Sequence, residues 1–299
     1  MNQLAPSRGP SAIALVEHGN WGPPATSSSA VEATTAIEHG AVLFLRRLAF
    51  DVESAEAELF SPSIVTAKNV SFDSRTERVG GARATGKQAA KLLGLLRRFS
   101  EAAASLTDAL FPAYAGRLER ARASFRPAEI AGRATSWRHD DTRLHVDSFP
   151  ATPSGGKRIL RVFCNVNPAG QPRSWRVGEP FEDVAARFTP GLRMPLPLSA
   201  PLLRLVGLTK SRRSPYDALM LQLHDAMKRD TAYQAEARQT AIAFPAGSTW
   251  MAFTDEVSHA AMAGQYQLEQ TFLLPADAMR EPERSPLRIL ERLKGRRLA

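Results

Sequence analysis

Arg143-Leu144-His145-Val146-Asp147 is the stretch on which the reading of this chain turns. His145 and Asp147 sit two residues apart in a run with strand character. In a strand, positions i and i+2 point to the same face, so an imidazole and a carboxylate can converge on one point. A third ligand must come from elsewhere, and His259, in Asp255-Glu256-Val257-Ser258-His259, is the best placed. Two imidazoles and one carboxylate on three corners of an octahedron leave three corners open, the facial arrangement of non-haem Fe(II) oxygenases.

An isolated His-x-Asp is weak evidence in a chain with 6 His, because short motifs recur by chance. The order of the surrounding elements strengthens it. The motif follows a helical region, and a Gly-bounded strand with basic residues, 157–167, comes next. His259 then arrives just before the last good strand. The chemistry needs this order: two ligands from one strand at a barrel mouth, and a third from the loop leading into a neighbouring strand. A bidentate 2-oxo acid and O₂ then have room. Against this stand a hydrogen-bonded core histidine at His145 and a simple turn at His259. Zinc hydrolysis is a rival, since zinc accepts two His and a carboxylate. Yet no His-bearing helix carries a Glu base, and no Gly-x-Ser-x-Gly turn or Gly-rich phosphate loop is present.

The far carboxylate of a 2-oxo acid needs a fixed cation, and Arg offers a bidentate fork. The window about ten residues beyond His259, from Gln265 to Thr271, contains no Arg. Arg161 is the first candidate because it is mid-strand, Arg158 the second and Arg126 the third. Ser136 and Asn165 are candidates for an added hydrogen bond. His139 sits in a polar turn, and His224, beside Leu221 and Leu223, reads as structural.

The chain has 299 residues and 43% hydrophobic content, enough for one large domain or two small ones. Its one cysteine, Cys164, excludes an intrachain disulfide and a cysteine-based zinc site. The expected compartment is the reducing cytoplasm. No long apolar run suggests a signal peptide or a spanning helix. A net charge of +9 suits an anionic partner. The basic residues flank apolar ones, at 87–99, 202–213 and 285–297. Such segments read as membrane-surface binders rather than nucleic-acid readers, or as packed helices with a solvated face.

The expected fold class is α+β, a double-stranded β-helix (jelly roll) core with flanking helices and a helical insertion. Residues 1–35, rich in small and turn residues, read as a poorly ordered segment, and 36–122 as an α/β support region. Within the latter, 41–50 and 63–72 read as strands, 53–60 as a short helix, 87–111 as the longest helix and 114–123 as another. The β core spans 123–277, with strands expected at 123–130, 142–149, 158–166, 174–177, 238–244, 248–253 and 265–274. The insertion covers about 178–232 and includes a helix begun by Ser214-Pro215. A basic tail helix occupies 278–299.

Several blocks together resemble the Kdo 3-hydroxylases, where Kdo is 3-deoxy-D-manno-octulosonic acid, the inner sugar of bacterial lipopolysaccharide. They are Ser124-Phe-Arg126-Pro, Asp140-Asp141-Thr-Arg143-Leu-His145-Val-Asp147-Ser-Phe-Pro150, Arg158-Ile-Leu-Arg161-Val-Phe-Cys-Asn165-Val-Asn167-Pro, Trp175-Arg176-Val-Gly178-Glu-Pro-Phe181, and Ser258-His259 followed by Gln270-Thr-Phe. The likeness runs from about Val42 to Pro275, although His-x-Asp alone is shared by the whole Fe(II)/2-oxoglutarate superfamily. It implies Fe(II), 2-oxoglutarate and O₂ as requirements, with His145, Asp147 and His259 at the metal. It implies Kdo2-lipid A or a close precursor as substrate, a hydroxyl placed at C3 of Kdo, and work on the cytoplasmic face of the inner membrane. Arg143, Trp175 and Arg176 are candidate contacts to the sugar acid. Two other readings stay open: a hydroxylase of a protein or soluble metabolite, and a non-catalytic lipid-binding module on the same fold.

Overall fold

The computed structural model describes residues 12–22, 25–66, 68–196, 207 and 209–299. Its strands are β1 (Ile13–Leu15), β2 (Val42–Leu45), β3 (Val70–Asp73), β4 (Arg78–Gly80), β5 (Glu119–Arg126), β6 (Arg158–Asn165), β7 (Arg173–Val177), β8 (Thr240–Phe244), β9 (Thr249–Phe253), β10 (His259–Ala263) and β11 (Gln267–Leu274). They form a larger sheet, ordered β1-β2-β9-β6-β11-β5-β3-β4, and a smaller one, β10-β7-β8. The helices are α1 (Ser27–Glu38), α2 (Gly86–Leu110), α3 (Phe181–Phe188), α4 (Pro215–Arg229), α5 (Thr231–Glu236) and α6 (Pro286–Lys294).

Side-chain parity on the central strand β6 sorts the molecule into layers. Leu160, Val162 and Cys164 face one way and pack under α1 and α2, against Ile37, Leu106, Leu110, Leu92 and Phe99. Arg161 and Phe163 face the other way. Phe163 and Trp250 of the larger sheet meet Trp175 and Phe244 of the smaller one in a shared core. Phe244 and Trp250 stack with centroids 4.1 Å apart. Each such ring, fully buried, contributes about 1.5–3 kcal/mol. The insertion helices α3, α4 and α5 and the tail helix α6 close a further core over Leu144, Val146 and Ala260. Ser214 caps α4 through a reciprocal box with Asp217.

Several local expectations are corrected. Part of the stretch expected to be loose is built into the fold: β1 pairs with β2, and α1 buries Ala30, Ala33 and Ile37. Small residues that leave no apolar stripe in the sequence let α1 pack closely. Residues 1–11 lie outside the described part. The helix expected at 114–123 is instead a single turn followed by β5, because pairing with both β3 and β11 overrides its local helical look. Residues 142–149 open with a turn at Thr142 and a bend at Arg143 and form no regular strand. They are joined to the sheet by a bridge at His145 and by Asp147 N–H donating to Thr254 O at 2.7 Å. Among the described residues of the 63–72 stretch, only 70–72 are strand, as part of β3. His259 begins a strand, β10, that the sequence did not announce.

Two of the three basic segments spend their apolar faces inside the protein. Leu92, Leu95, Leu96 and Phe99 of α2 are buried, as are Leu287, Ile289 and Leu290 of α6. Half of 202–213, residues 202–206 and 208, lies outside the described residues. No helix among the described residues is long and apolar enough to cross a membrane.

On the helix side of β6, Arg158 is wholly buried, its guanidinium 3.9 Å over the Phe253 ring. Its Nε donates to Asp255 Oδ2 at 2.8 Å and its Nη2 to Glu256 Oε2 at 2.5 Å, while Ile159 N–H donates to Asp255 Oδ1. One arginine thus ties the start of β6 to the turn that leads into His259. Substituting Arg158→Met leaves two buried carboxylates stripped of their cation. The expected loss is about 3–5 kcal/mol, read from denaturant unfolding. A loss under about 1 kcal/mol would show that the pair does not hold the turn.

Candidate active site

Reciprocal backbone bonds clamp the two histidines together. His145 N–H donates to His259 O at 3.0 Å, and His259 N–H to His145 O at 2.9 Å. Each ring then repeats one local device: Nδ1 lies 2.8 Å from the carbonyl two residues back, Arg143 O for His145 and Val257 O for His259. A carbonyl only accepts, so Nδ1 carries the proton and Nε2 keeps its lone pair. That is the arrangement of metal-bound histidines. One ligand atom from each of His145, Asp147 and His259 lies within 4.8 Å of the others. The donor set fits a divalent first-row metal with open positions.

Electrostatics favour the ligand forms. Burial lowers both imidazole pKa values, most strongly at His145, which also faces His259. Burial alone would raise the Asp147 carboxyl, but Arg161 and the two imidazoles outweigh it and hold it well below the usual carboxylate range. Arg161 Nη2 stands 3.1 Å from Asp147 Oδ2, which leaves Oδ1 to the imidazole side, 3.9 Å from His145 Nε2.

The packing around the triad leaves little slack. Trp175 stacks on His259 at 5.1 Å, and His224 meets His145 edge-on at 5.4 Å. Gly178 N–H donates to Ser258 O at 2.7 Å. A Cβ at Gly178 would stand 2.7 Å from Ser258 Oγ and 3.3 Å from Leu144 Cδ2. Those are the chain neighbours of the two histidines, so this position requires glycine for want of space.

The triad opens into a cavity of about 490 Å³. Arg126, Arg161 and Trp175, expected from the sequence, line it. Glu269 organises the sheet wall: Arg126 grips it with Nε and Nη2 at 2.8 and 3.0 Å, and Arg161 Nη1 reaches it at 3.3 Å. Arg173 Nη1 donates to Gly264 O at 2.5 Å. Three buried donors on this wall have no acceptor: Arg161 Nε, Arg173 Nε and Trp175 Nε1. Such groups are costly unless a ligand meets them.

Other expected residues are elsewhere. Asn165 is buried outside the cavity, its amide spent on Gln171 O and Phe244 O and its oxygen on Asn167 N–H. Ser136 is on the surface, bonded to His139 Nδ1 at 2.9 Å. Arg158 points to the opposite face of β6 from Arg161, since an odd spacing reverses direction in a strand. Arg143 and Arg176 line a separate open groove, bonded to Lys228 O and Thr142 O.

Residues the reading missed or set aside also line the cavity, among them Lys68, Arg173, His224, Lys228 and Glu269. Some left a signal. Leu221, His224, Asp225 and Lys228 follow helical spacing along α4, and Gln267 and Glu269, two apart in β11, share one face of the strand. Lys68 left none.

The chain matches the 3-deoxy-D-manno-oct-2-ulosonic acid (Kdo) hydroxylase family over residues 20–297, and it belongs to that family. Its fold is similar to the crystal structure of the Kdo hydroxylase KdoO, a non-haem Fe(II) α-ketoglutarate-dependent dioxygenase, in complex with α-ketoglutarate and Fe(III). The TM-score is 0.94 at 46% identity, over 96% of this chain and 97% of that one. The cobalt(II) complex of KdoO matches with the same values. The complex with succinate and Fe(III) gives 0.93 at 45% identity, with the same coverage. No curated protein gives a significant match.

Substituting Gly178→Ala must displace Ser258 or Leu144. The expected cost is about 1–3 kcal/mol of stability and at least about tenfold in metal affinity, measured by denaturant and chelator titrations. Unchanged metal affinity would detach Gly178 from the geometry of the triad.

Proposed function

We propose that this protein hydroxylates C3 of Kdo in Kdo2-lipid A or a closely related lipopolysaccharide precursor, using Fe(II), 2-oxoglutarate and O₂. The product sugar is D-glycero-D-talo-octulosonic acid. The observation that carries the reading is the convergence of His145, Asp147 and His259 on the wall of a basic cavity in a Kdo hydroxylase family member. We read the two facing sheets as the double-stranded β-helix expected from the sequence.

When bound, the iron and 2-oxoglutarate supply the oxidative chemistry that inserts one atom of O₂ into the acceptor. The chain's residues supply geometry. His145 and His259 present Nε2 because their Nδ1 protons are engaged. Asp147 presents Oδ1 because Arg161 holds Oδ2. Arg161, Arg173 and Trp175 line the cavity, and each carries a buried donor that has no acceptor. Arg173 is the strongest candidate for the far carboxylate of 2-oxoglutarate. Among the described residues it has no carboxylate partner, whereas Arg161 and Arg126 already share Glu269. Arg126 then acts by fixing Glu269. The phosphates and carboxylates of the acceptor suit a chain of net charge +9. With the apolar faces of α2 and α6 turned inward, we propose peripheral contact with the cytoplasmic face of the inner membrane through basic side chains.

Incubation with Kdo2-lipid A, Fe(II), 2-oxoglutarate and O₂ is expected to add one oxygen to Kdo by mass spectrometry and to release succinate in step. No mass gain on either lipid-linked or delipidated Kdo would refute the assignment; gain on the delipidated sugar alone would shift it to a soluble acceptor. Asp147→Ala is expected to lose both metal and succinate release, read by metal analysis and product assay. Arg173→Met is expected to keep the metal but to need at least about tenfold more 2-oxoglutarate, the loss of one charge-assisted bond of about 1.5–3 kcal/mol.

A further inference from the structure

The charges lining the cavity do not cancel. Its cations are Lys68, Arg126, Arg138, Arg161, Arg173 and Lys228; its carboxylates are Asp141, Asp147, Asp225 and Glu269. The carboxylates are all engaged: Asp141 by Lys68 and Arg133, Asp225 by Arg138, Glu269 by Arg126 and Arg161, and Asp147 by Arg161. Two cations of the wall have no carboxylate within 4 Å among the described residues, Arg173 and Lys228. Arg173 sits on the sheet wall and is assigned above to the cosubstrate. Lys228 is left over.

Lys228 is only 2% exposed. Its ammonium has three protons to give, and its Nζ makes one hydrogen bond, to Arg138 O at 3.1 Å. A buried charge in that state is expensive unless a ligand completes it. The residue lies on α4 one turn beyond His224, on the stripe Leu221, His224, Asp225 and Lys228 that faces the cavity. It is near enough to the triad for its charge to bear on the His145 imidazole. Burial pulls the Lys228 pKa down, while Asp141 pushes it back up. It therefore stands on the helical wall, and the donors assigned to 2-oxoglutarate stand on β6 and β7.

We propose that Lys228 is a positioning residue for the acceptor, its ammonium receiving the carboxylate of the Kdo unit to be hydroxylated. The proposal rests on the reading that Kdo is the acceptor. In Kdo the carboxyl carbon is attached to C2, next to C3. A cation that holds the carboxylate beside His145 and His224 therefore also brings C3 toward the open side of the triad. The same contact gives specificity, because a neutral sugar leaves the ammonium buried and unmet.

The test is calorimetric titration of the Co(II)-loaded protein, with 2-oxoglutarate present and O₂ absent. The probes are the methyl glycoside of Kdo, its neutral methyl ester and inorganic phosphate, and 2-oxoglutarate is titrated separately. The proteins are wild type, Lys228→Met and Lys228→Arg. The expected result is that Lys228→Met weakens the acid glycoside at least about tenfold, the cost of one charge-assisted bond. The ester should bind wild type and variant alike, and Lys228→Arg should recover part of the loss. Affinity for 2-oxoglutarate should be unchanged in all three, and phosphate should not compete with the glycoside. Thermal unfolding of Lys228→Met at or above the wild-type midpoint is expected, since a thioether replaces a buried ammonium. Equal binding of the acid by wild type and Lys228→Met overturns the proposal. So does equal weakening of acid and ester, a loss confined to 2-oxoglutarate, displacement of the glycoside by phosphate, or no binding of the acid to wild type. The reaction itself is read separately, by gain of one oxygen on Kdo. Lys228-dependent binding without that gain would refute the hydroxylase assignment and leave the carboxylate subsite standing.

Discussion

The reciprocal pair of backbone bonds between His145 and His259 is the constraint on which the site depends. One residue belongs to an irregular segment and the other opens β10, so neither local structure alone fixes their distance. The bridge does, and it does so with main-chain atoms that only proline among substitutions removes. The imidazoles are then aimed by a second main-chain interaction, the carbonyl two residues back. Asp147 enters the same frame through its own N–H on Thr254 O. A metal site built this way owes its position to the sheet edge and its orientation to short-range bonds. Side-chain packing from Trp175 and His224 only needs to keep the rings from turning.

Around that frame the charged groups fall into two systems with different tasks. On the helix side of β6, Arg158, itself without solvent access, closes on Asp255 and Glu256, and the arrangement is complete without a ligand. On the cavity side, Asp147, Arg161, Glu269 and Arg126 form a chain that fixes itself yet leaves donors unmet at Arg161 and, beside it, at Arg173 and Trp175. A fully satisfied network rigidifies, whereas one with unmet donors on residues that line a cavity is shaped for something that arrives from outside. The contrast separates structural arginines from ligand-facing ones more reliably than their spacing in the chain.

The candidate metal triad, which the fold brings within 4.8 Å, was legible in the sequence because such chemistry needs specific residue types in a short pattern. The mixed helix-and-sheet character was legible as well, through the periodicity of α2 and the strands punctuated by Gly and Pro. Arg161 was legible as a mid-strand cation, but Arg158 was ranked beside it although strand parity sets the two on opposite faces. Asn165 and Ser136 looked like hydrogen-bonding partners because polarity is visible in a sequence, whereas the direction of an amide is not. The first half of β5, 119–123, reads as a helix because its Ala and Arg residues favour that state until two neighbours pair with it, whereas the strand expected from 123 overlaps its second half. Lys68, Arg173 and Lys228 reach the cavity through tertiary placement, and net charge alone cannot say which cations lack a partner.

β6 carries the buried arginine that secures the turn before His259 and, three residues on, the arginine that steadies Asp147. Were the strand to slip by one residue against β9 and β11, every side chain on it would change sides. The turn would lose its cation and the carboxylate ligand its counter-charge in the same event. Correct alignment of this one strand therefore acts as an assembly checkpoint: a misregistered chain cannot keep a half-working centre, and damaged enzyme is silent rather than leaky.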